Sequence, residues 1–187
     1  GIPVPPLKPR MGLMVRLFGT LLLPEGARSG VLSFEDGVIA QVDILQPGEA
    51  CPAGARAWSG FVSPGFVDIH VHGGAGHDFM DGTVEAFQAV CRAHARHGTT
   101  SLLATSTVAP EPMIRRFMDV AETLVNKPTG GARVAGVHFY GPFFAPAAKG
   151  CHPGAGLVAP ADCEFKAMLN PAVVRRSEEH TSELQSH

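Results

Sequence analysis

The sequence feature that most constrains this chain is a short apolar segment that ends on two histidines. Residues 66–71 read Phe-Val-Asp-Ile-His-Val, between a Pro-Gly pair and a Gly-Gly pair, and this pattern predicts a short strand buried on both faces. Side chains two residues apart in a strand share a face, so His70 and His72 are expected to project together where the strand ends. They would supply half of a metal site, with Asp68 orienting one imidazole. A structural role is the alternative.

Composition excludes several other kinds of protein. The chain has 187 residues, 45% hydrophobic and 17% charged, which is typical of a globular domain with its own core. The net charge of −2 gives no reason to expect nucleic acid or a membrane as partner. No apolar run reaches about 18 residues, so no transmembrane helix is expected, and the N-terminus lacks a signal-peptide pattern. None of the cysteines forms a Cys-x-x-Cys pair, which favours free thiols and a cytoplasmic location; the four are Cys51, Cys91, Cys151 and Cys163.

The two ends of the chain differ in amino-acid composition from its middle. Residues 1–13 are Pro-rich and without periodicity, and we expect this segment not to be ordered. From Arg176 to His187 the chain is polar and resembles the translation of a common sequencing-library adapter. We therefore expect residues 176–187 to be a non-native tail and the chain to be an incomplete fragment. A genuine polar tail is the alternative.

Residues 14–60 read as strands of a small β unit. Met14–Leu23 predicts a strand, and Gly30–Glu35 with Gly37–Ile44 predicts a hairpin. Residues 47–57 are rich in Gly, Pro and Ala and predict a loop.

Residues 61–175 alternate between strand and helix patterns. After the opening strand, residues 83–97 predict a helix whose buried stripe includes His94 in a structural role, and residues 99–107 predict a strand. A helix from Pro110 to Val125, a strand over 133–140 and a long loop over 141–160 follow. This order predicts a parallel sheet with right-handed crossovers, either doubly wound or a (β/α)₈ barrel. The absence of a Gly-x-Gly-x-x-Gly turn weighs against a dinucleotide fold.

In a barrel, functional groups lie at the C-terminal ends of the strands. The polar residues at these predicted ends are His70, His72, Thr105, Thr107, His138 and Tyr140.

Several motifs together resemble one known family. They are residues 64–74, His97-Gly98-Thr99-Thr100, residues 136–143 (Gly-Val-His-Phe-Tyr-Gly-Pro-Phe) and residues 149–153 (Lys-Gly-Cys-His-Pro). Over residues 14–174 the chain resembles the amidohydrolase superfamily, and within it the N-acetylglucosamine-6-phosphate deacetylases. The resemblance implies a small β-sandwich domain, to which residues 14–60 contribute strands. It also implies a metal-dependent TIM-like (β/α)₈ barrel, of which residues 61–175 are the N-terminal portion.

The resemblance implies hydrolysis of the acetamide of N-acetylglucosamine 6-phosphate to glucosamine 6-phosphate and acetate, in amino-sugar catabolism. The cofactor would be a divalent metal ion, zinc or iron-like. The general base would be a carboxylate on a later strand, so no catalytic residue is expected within this chain. The implied partner is a small-molecule amino-sugar phosphate, with neither nucleic acid nor membrane, and the full-length parent would be a homo-oligomer. Alternatives are an amidohydrolase for a cyclic amide or another acetylated sugar, or a non-catalytic homologue that binds sugar phosphate.

The resemblance also assigns residues. His70 and His72 match metal ligands, whereas Tyr140 stands where the family has a metal-binding glutamate. A neutral phenol with a pKa of about 10 is a poor replacement, so the surviving metal site is expected at the histidine pair. Tyr140 would coordinate as a phenolate, bind substrate or only pack. Cys151 and His152 match substrate contacts, His152 through its ring and Cys151 through its backbone.

Overall fold

The computed structural model describes residues 14–158 and 169–180. By its internal contacts the chain divides into two compact units, residues 1–64 and residues 65–187.

The first unit is a four-stranded sheet in the order β3-β2-β1-β4. Its strands are β1 (Val15–Leu23), β2 (Gly26–Glu35), β3 (Val38–Ile44) and β4 (Arg56–Val62). The first three pair antiparallel, and the β2–β3 turn uses Asp36 and Gly37 at φ +51° and +79°, as a tight hairpin turn requires. The predicted first strand and hairpin are confirmed.

Strand β4 was not predicted. It pairs in parallel with β1, although its first residues fell within the predicted loop over 47–57. The expected domain boundary between Gly60 and Phe61 lies inside β4, whereas the structure divides the chain between Pro64 and Gly65.

The second unit is built on a parallel sheet in the order β10-β9-β8-β5. Its strands are β5 (Phe66–Val71), β8 (Thr99–Thr105), β9 (Arg133–Phe144) and β10 (Val174–His180), all paired in parallel. A small hairpin of β6 (Gly73–Gly74) and β7 (His77–Asp78) follows β5. The helices α1 (Val84–Ala95) and α2 (Glu111–Leu124) connect the successive strands. The predicted strand–helix alternation and parallel sheet are confirmed.

Two predictions in this unit were wrong. β9 does not end at Tyr140 but continues to Phe144, so the predicted loop over 141–160 begins later and contains 3₁₀ turns at Pro146–Ala148 and Gly154–Gly156. β5 is not buried on both faces: Phe66 and Val67 are 68% and 67% exposed. The reason is its position, since β5 is an edge strand that pairs only with β8 in the described part of the chain.

The core of the second unit lies between the sheet and the two helices. Thr83 caps α1 by accepting a hydrogen bond from the backbone N–H of Ala86 at 3.2 Å, and Pro110 stands at the N-cap of α2. One face of α2 is buried, with Ile114, Phe117 and Ala121 at most 1% exposed. Buried aromatic residues fill the space against the sheet: Phe79, Phe87, Phe117 and Phe139.

Candidate metal centre

The carboxyl end of β5 and the middle of β9 bring four aromatic rings together, which we call the histidine cluster: His70, His72, His138 and Tyr140. The ring centroid of His70 lies 5.0 Å from that of His72, 4.7 Å from His138 and 5.0 Å from Tyr140. The two histidines predicted from the sequence therefore meet, as expected from their shared strand face. They also lie against His138 and Tyr140, which belong to β9, a strand that begins 67 residues after the start of β5.

His70 and His72 are spaced to share one ion. Their Nε2 atoms lie 3.1 Å apart, and two nitrogens each about 2.0–2.1 Å from a tetrahedral zinc ion would lie about 3.3 Å apart. Burial lowers the pKa of His72, and the neighbouring His70 lowers it further. A low pKa favours the neutral imidazole, which is the form that binds a metal.

The turn after His72 depends on Gly73. A Cβ atom at this position would overlap the backbone carbonyl oxygen of His77 across the small hairpin. The carbonyl of Gly73 accepts a hydrogen bond from Nε2 of His94 at 3.1 Å, a contact with the turn that was not predicted from the sequence. The position of His72 is thus held from the loop and from α1.

Asp68 does not have the contact that was expected. Its carboxylate oxygen Oδ1 accepts a hydrogen bond from the backbone N–H of His70 at 3.1 Å, rather than from an imidazole. A carboxylate and a backbone N–H two residues later form a local turn-like contact that short acidic side chains favour. Asp68 therefore fixes the backbone at the strand end, not the ring of a ligand.

His138 was not named as a site residue from the sequence, yet it is the most enclosed member of the cluster. It is 0% exposed, and its Nε2 atom has no hydrogen-bond partner among the described residues. Burial lowers the pKa of His138 to about 4, with His70 and Arg176 adding to the effect. Glu178 Oε2 lies 3.7 Å from Nε2, beyond hydrogen-bonding distance. The sequence did contain a signal for His138: it lies at a predicted strand end, two residues before Tyr140, so both side chains were expected on the same face of the strand.

Tyr140 is held by its backbone. Its N–H donates to Ser106 Oγ at 2.9 Å, and that hydroxyl donates to the carbonyl of Tyr140 at 3.4 Å. The ring packs 5.2 Å from Phe144 and 5.3 Å from His152, centroid to centroid. Tyr140 therefore joins the histidine cluster to the loop that follows β9.

The structure places His152 beside the cluster and Cys151 at the surface. His152 Nδ1 lies 3.0 Å from Thr107 Oγ1, so the predicted strand-end threonine and the predicted substrate contact meet. The thiol of Cys151 is free and exposed, as is that of Cys51, whereas Cys91 is free and buried. Cys163 lies outside the described residues. No helix in the described ranges is long and apolar enough to cross a membrane.

Comparisons with known proteins agree on one family. The model of the amidohydrolase family matches residues 61–185. N-acetylgalactosamine-6-phosphate deacetylase of Escherichia coli O157:H7 is 34% identical over 122 residues, which are 65% of this chain and 31% of that protein. N-acetylglucosamine-6-phosphate deacetylase of Vibrio furnissii is 36% identical over 122 residues, 64% of this chain and 30% of that protein.

Solved structures give the same result. A mutant N-acetyl-D-glucosamine-6-phosphate deacetylase from Mycobacterium smegmatis, in complex with N-acetyl-D-glucosamine 6-phosphate, superposes with a TM-score of 0.74 and 25% identity. The match covers 89% of this chain and 43% of that one. The chain thus spans less than half the length of the relatives it matches.

Proposed function

Because the chain belongs to the amidohydrolase family, we propose that it is the N-terminal part of a metal-dependent deacetylase of amino-sugar phosphates. The reaction is hydrolysis of N-acetylglucosamine 6-phosphate to glucosamine 6-phosphate and acetate. The observation that carries the proposal is the pair of imidazole nitrogens 3.1 Å apart at the end of β5. The names of the similar proteins support the substrate class.

We place the second unit in the N-terminal portion of a (β/α)₈ barrel and the first unit in a β-sandwich. The parallel strands β5, β8 and β9 with their connecting helices support the first assignment. The antiparallel sheet of β1 to β3 supports the second. In a barrel the carboxyl ends of the strands form the active-site face, and His70 and His72 lie at this end of β5.

His70 and His72 are proposed to hold a divalent metal ion. Imidazole nitrogen is a suitable ligand for zinc or iron. When bound, the metal supplies polarisation of the amide carbonyl and activation of a water molecule. The general base is assigned to a carboxylate outside this chain, because the relatives are more than twice as long as their matched parts.

His152 and Cys151 are proposed to contact the substrate. Thr107 Oγ1 is hydrogen-bonded to Nδ1 of His152 at 3.0 Å, and this contact orients the ring beside the histidine cluster. Cys151 would contribute its backbone, since its thiol is exposed.

A second substrate is favoured by one observation. The relative from Escherichia coli O157:H7 is named for N-acetylgalactosamine 6-phosphate. The two sugars differ in the configuration of one ring hydroxyl, so the same metal site would serve either. The second candidate is therefore the galactosamine isomer, with the same chemistry at the acetamide.

The test is acetate release by the full-length protein encoded by the genomic reading frame. We expect turnover of one or both amino-sugar phosphates, loss of turnover after removal of metal by a chelator, and recovery when a divalent metal is restored. The ratio of kcat/KM for the two sugars decides between the two substrates. No acetate from either sugar with any divalent metal would contradict the proposal and favour a binding homologue.

A further inference from the structure

We propose that His138 is a third ligand of this metal site, so that the chain holds its ion through His70, His72 and His138 rather than through residue 140. The inference rests on the proposed function only in expecting a resident metal. It concerns the histidine cluster alone, within the second unit.

The hydrogen bonds of Thr105 determine which nitrogen of His138 carries the proton. The hydroxyl of Thr105 donates its single hydrogen to the carbonyl of Leu103 at 3.2 Å and accepts from the backbone N–H of Val71 at 2.9 Å. A hydroxyl has one donor and two acceptor positions, so it can only accept from Nδ1 of His138, which lies 3.5 Å away. These contacts favour the neutral tautomer of His138 that carries its proton on Nδ1.

The consequence is a buried lone pair. Nε2 of His138 is left as an acceptor in a side chain that is 0% exposed, and no described group donates to it. Buried polar atoms in native proteins nearly always have a partner, and each exception requires an explanation. Metal-binding histidines in proteins are usually neutral. One ring nitrogen carries the lone pair that binds the metal, and the N–H of the other nitrogen donates a hydrogen bond to a neighbouring group. A metal ion is therefore the partner that suits Nε2.

His138 lies against His70, one of the two proposed ligands. The ring of His138 packs edge-on against His70 with centroids 4.7 Å apart, and candidate ligand atoms of the two lie within 4.8 Å. Nε2 of His70 is 3.1 Å from Nε2 of His72. Three imidazoles with one position left open form a donor set typical of catalytic zinc.

Two neighbours compete for the role of third ligand. Tyr140 offers a phenol oxygen, which is a less usual ligand of zinc than an imidazole nitrogen, and its packing against the cluster does not require coordination. Glu178 has a carboxylate oxygen 3.7 Å from Nε2 of His138, but its other oxygen is paired with the guanidinium of Arg176, which competes with a metal ion for this carboxylate. His138 is the remaining candidate in the described ranges.

The experiment uses the 187-residue chain, stripped with a chelator and titrated with Zn²⁺ in a calorimeter. We expect one zinc per chain, and X-ray absorption of the zinc-loaded chain should count three imidazoles. His138→Leu should weaken zinc binding by more than about 100-fold, since even the outer partners of metal ligands are worth 10–100-fold. Glu178→Gln should leave the affinity unchanged, as should His97→Ala, a matched control that removes an exposed histidine outside the cluster.

The count of imidazoles does not depend on the folding of any variant. Two imidazoles instead of three, a His138→Leu chain that binds zinc as tightly as the unchanged one, or loss of binding in Glu178→Gln would each overturn the inference. A chain that binds no zinc would overturn it as well. None of these outcomes bears on acetate release by the full-length protein, which tests the proposed function separately.

Discussion

Replacing Thr105 by valine is expected to destabilise the second unit by about 2–4 kcal/mol. The hydroxyl is fully buried and accepts from the N–H of Val71 at 2.9 Å, with Nδ1 of His138 at 3.5 Å. Valine has nearly the same shape but no oxygen, so both donors lose their acceptor. A buried donor left unsatisfied costs about 1–3 kcal/mol, and the longer contact to His138 is the weaker of the two.

Thr105→Ser is the matched control. It keeps the oxygen and removes one methyl group, which is worth about 0.8 kcal/mol of burial. If the hydrogen bonds carry the effect, the valine variant must be clearly less stable than the serine variant, by about 1–3 kcal/mol. If packing carried it, valine would be the better replacement.

The chain contains suitable reporters for this measurement. Its single tyrosine, Tyr140, lies in the second unit, and its single tryptophan, Trp58, lies in the first. Urea unfolding followed by tyrosine near-ultraviolet signals should show the lower midpoint, whereas tryptophan fluorescence should change little. A valine variant as stable as the serine variant, or a shift confined to the tryptophan signal, would refute the reasoning.

Three further predictions concern stability and reactivity. Phe117→Ala should cost about 3–5 kcal/mol in urea unfolding because it empties a fully buried site, and Phe117→Leu should cost clearly less. Burial raises the pKa of the Cys91 thiol, so in a Cys163→Ser background a thiol reagent should modify Cys51 and Cys151 at once and Cys91 only on unfolding. Burial lowers the pKa of His138 to about 4 in the folded chain. As the pH falls, this histidine is therefore protonated in the unfolded chain before it is protonated in the folded chain. The unfolding free energy of the metal-free chain should fall as the pH drops from about 6.5 towards 4, by up to about 3 kcal/mol, and less in His138→Leu.

The sequence was most informative where local periodicity coincides with burial. The apolar face of α2 repeats at helical spacing over Ile114, Phe117 and Ala121, and all three are in the core. The pairing of His70 with His72 also follows from local geometry, because a strand places residues two apart on the same face. These features need no knowledge of the rest of the chain.

Features that depend on distant neighbours were not predictable in this way. The apolar strand β5 was expected to be buried, but burial of a strand depends on which strands and helices cover it, and β5 is at an edge. β4 gains its strand conformation by pairing with β1, which no window around residue 56 reveals. The unpartnered nitrogen of His138 depends on Thr105 and Val71, both on other strands.

The segment after Arg175 gives a last prediction. Residues 174–178 pair in parallel with β9, but the backbone ladder of a parallel sheet accepts almost any residue except proline. Side chains are more selective, and buried parallel strands are usually near-continuous apolar runs. β8 follows this rule with Leu-Leu-Ala at 102–104, whereas Arg-Ser-Glu at 176–178 does not.

We therefore expect the genomic reading frame to depart from this sequence at or just after Arg176 and to continue with an apolar strand that pairs with β9. Sequencing the locus across this point checks the expectation. If the genome encodes Arg-Ser-Glu-Glu-His at 176–180, the tail is native, and Glu178, whose carboxylate lies 3.7 Å from Nε2 of His138, becomes a candidate ligand in its own right. The origin of the tail therefore also decides whether the carboxylate of Glu178 can belong to the ligand set of the native metal site.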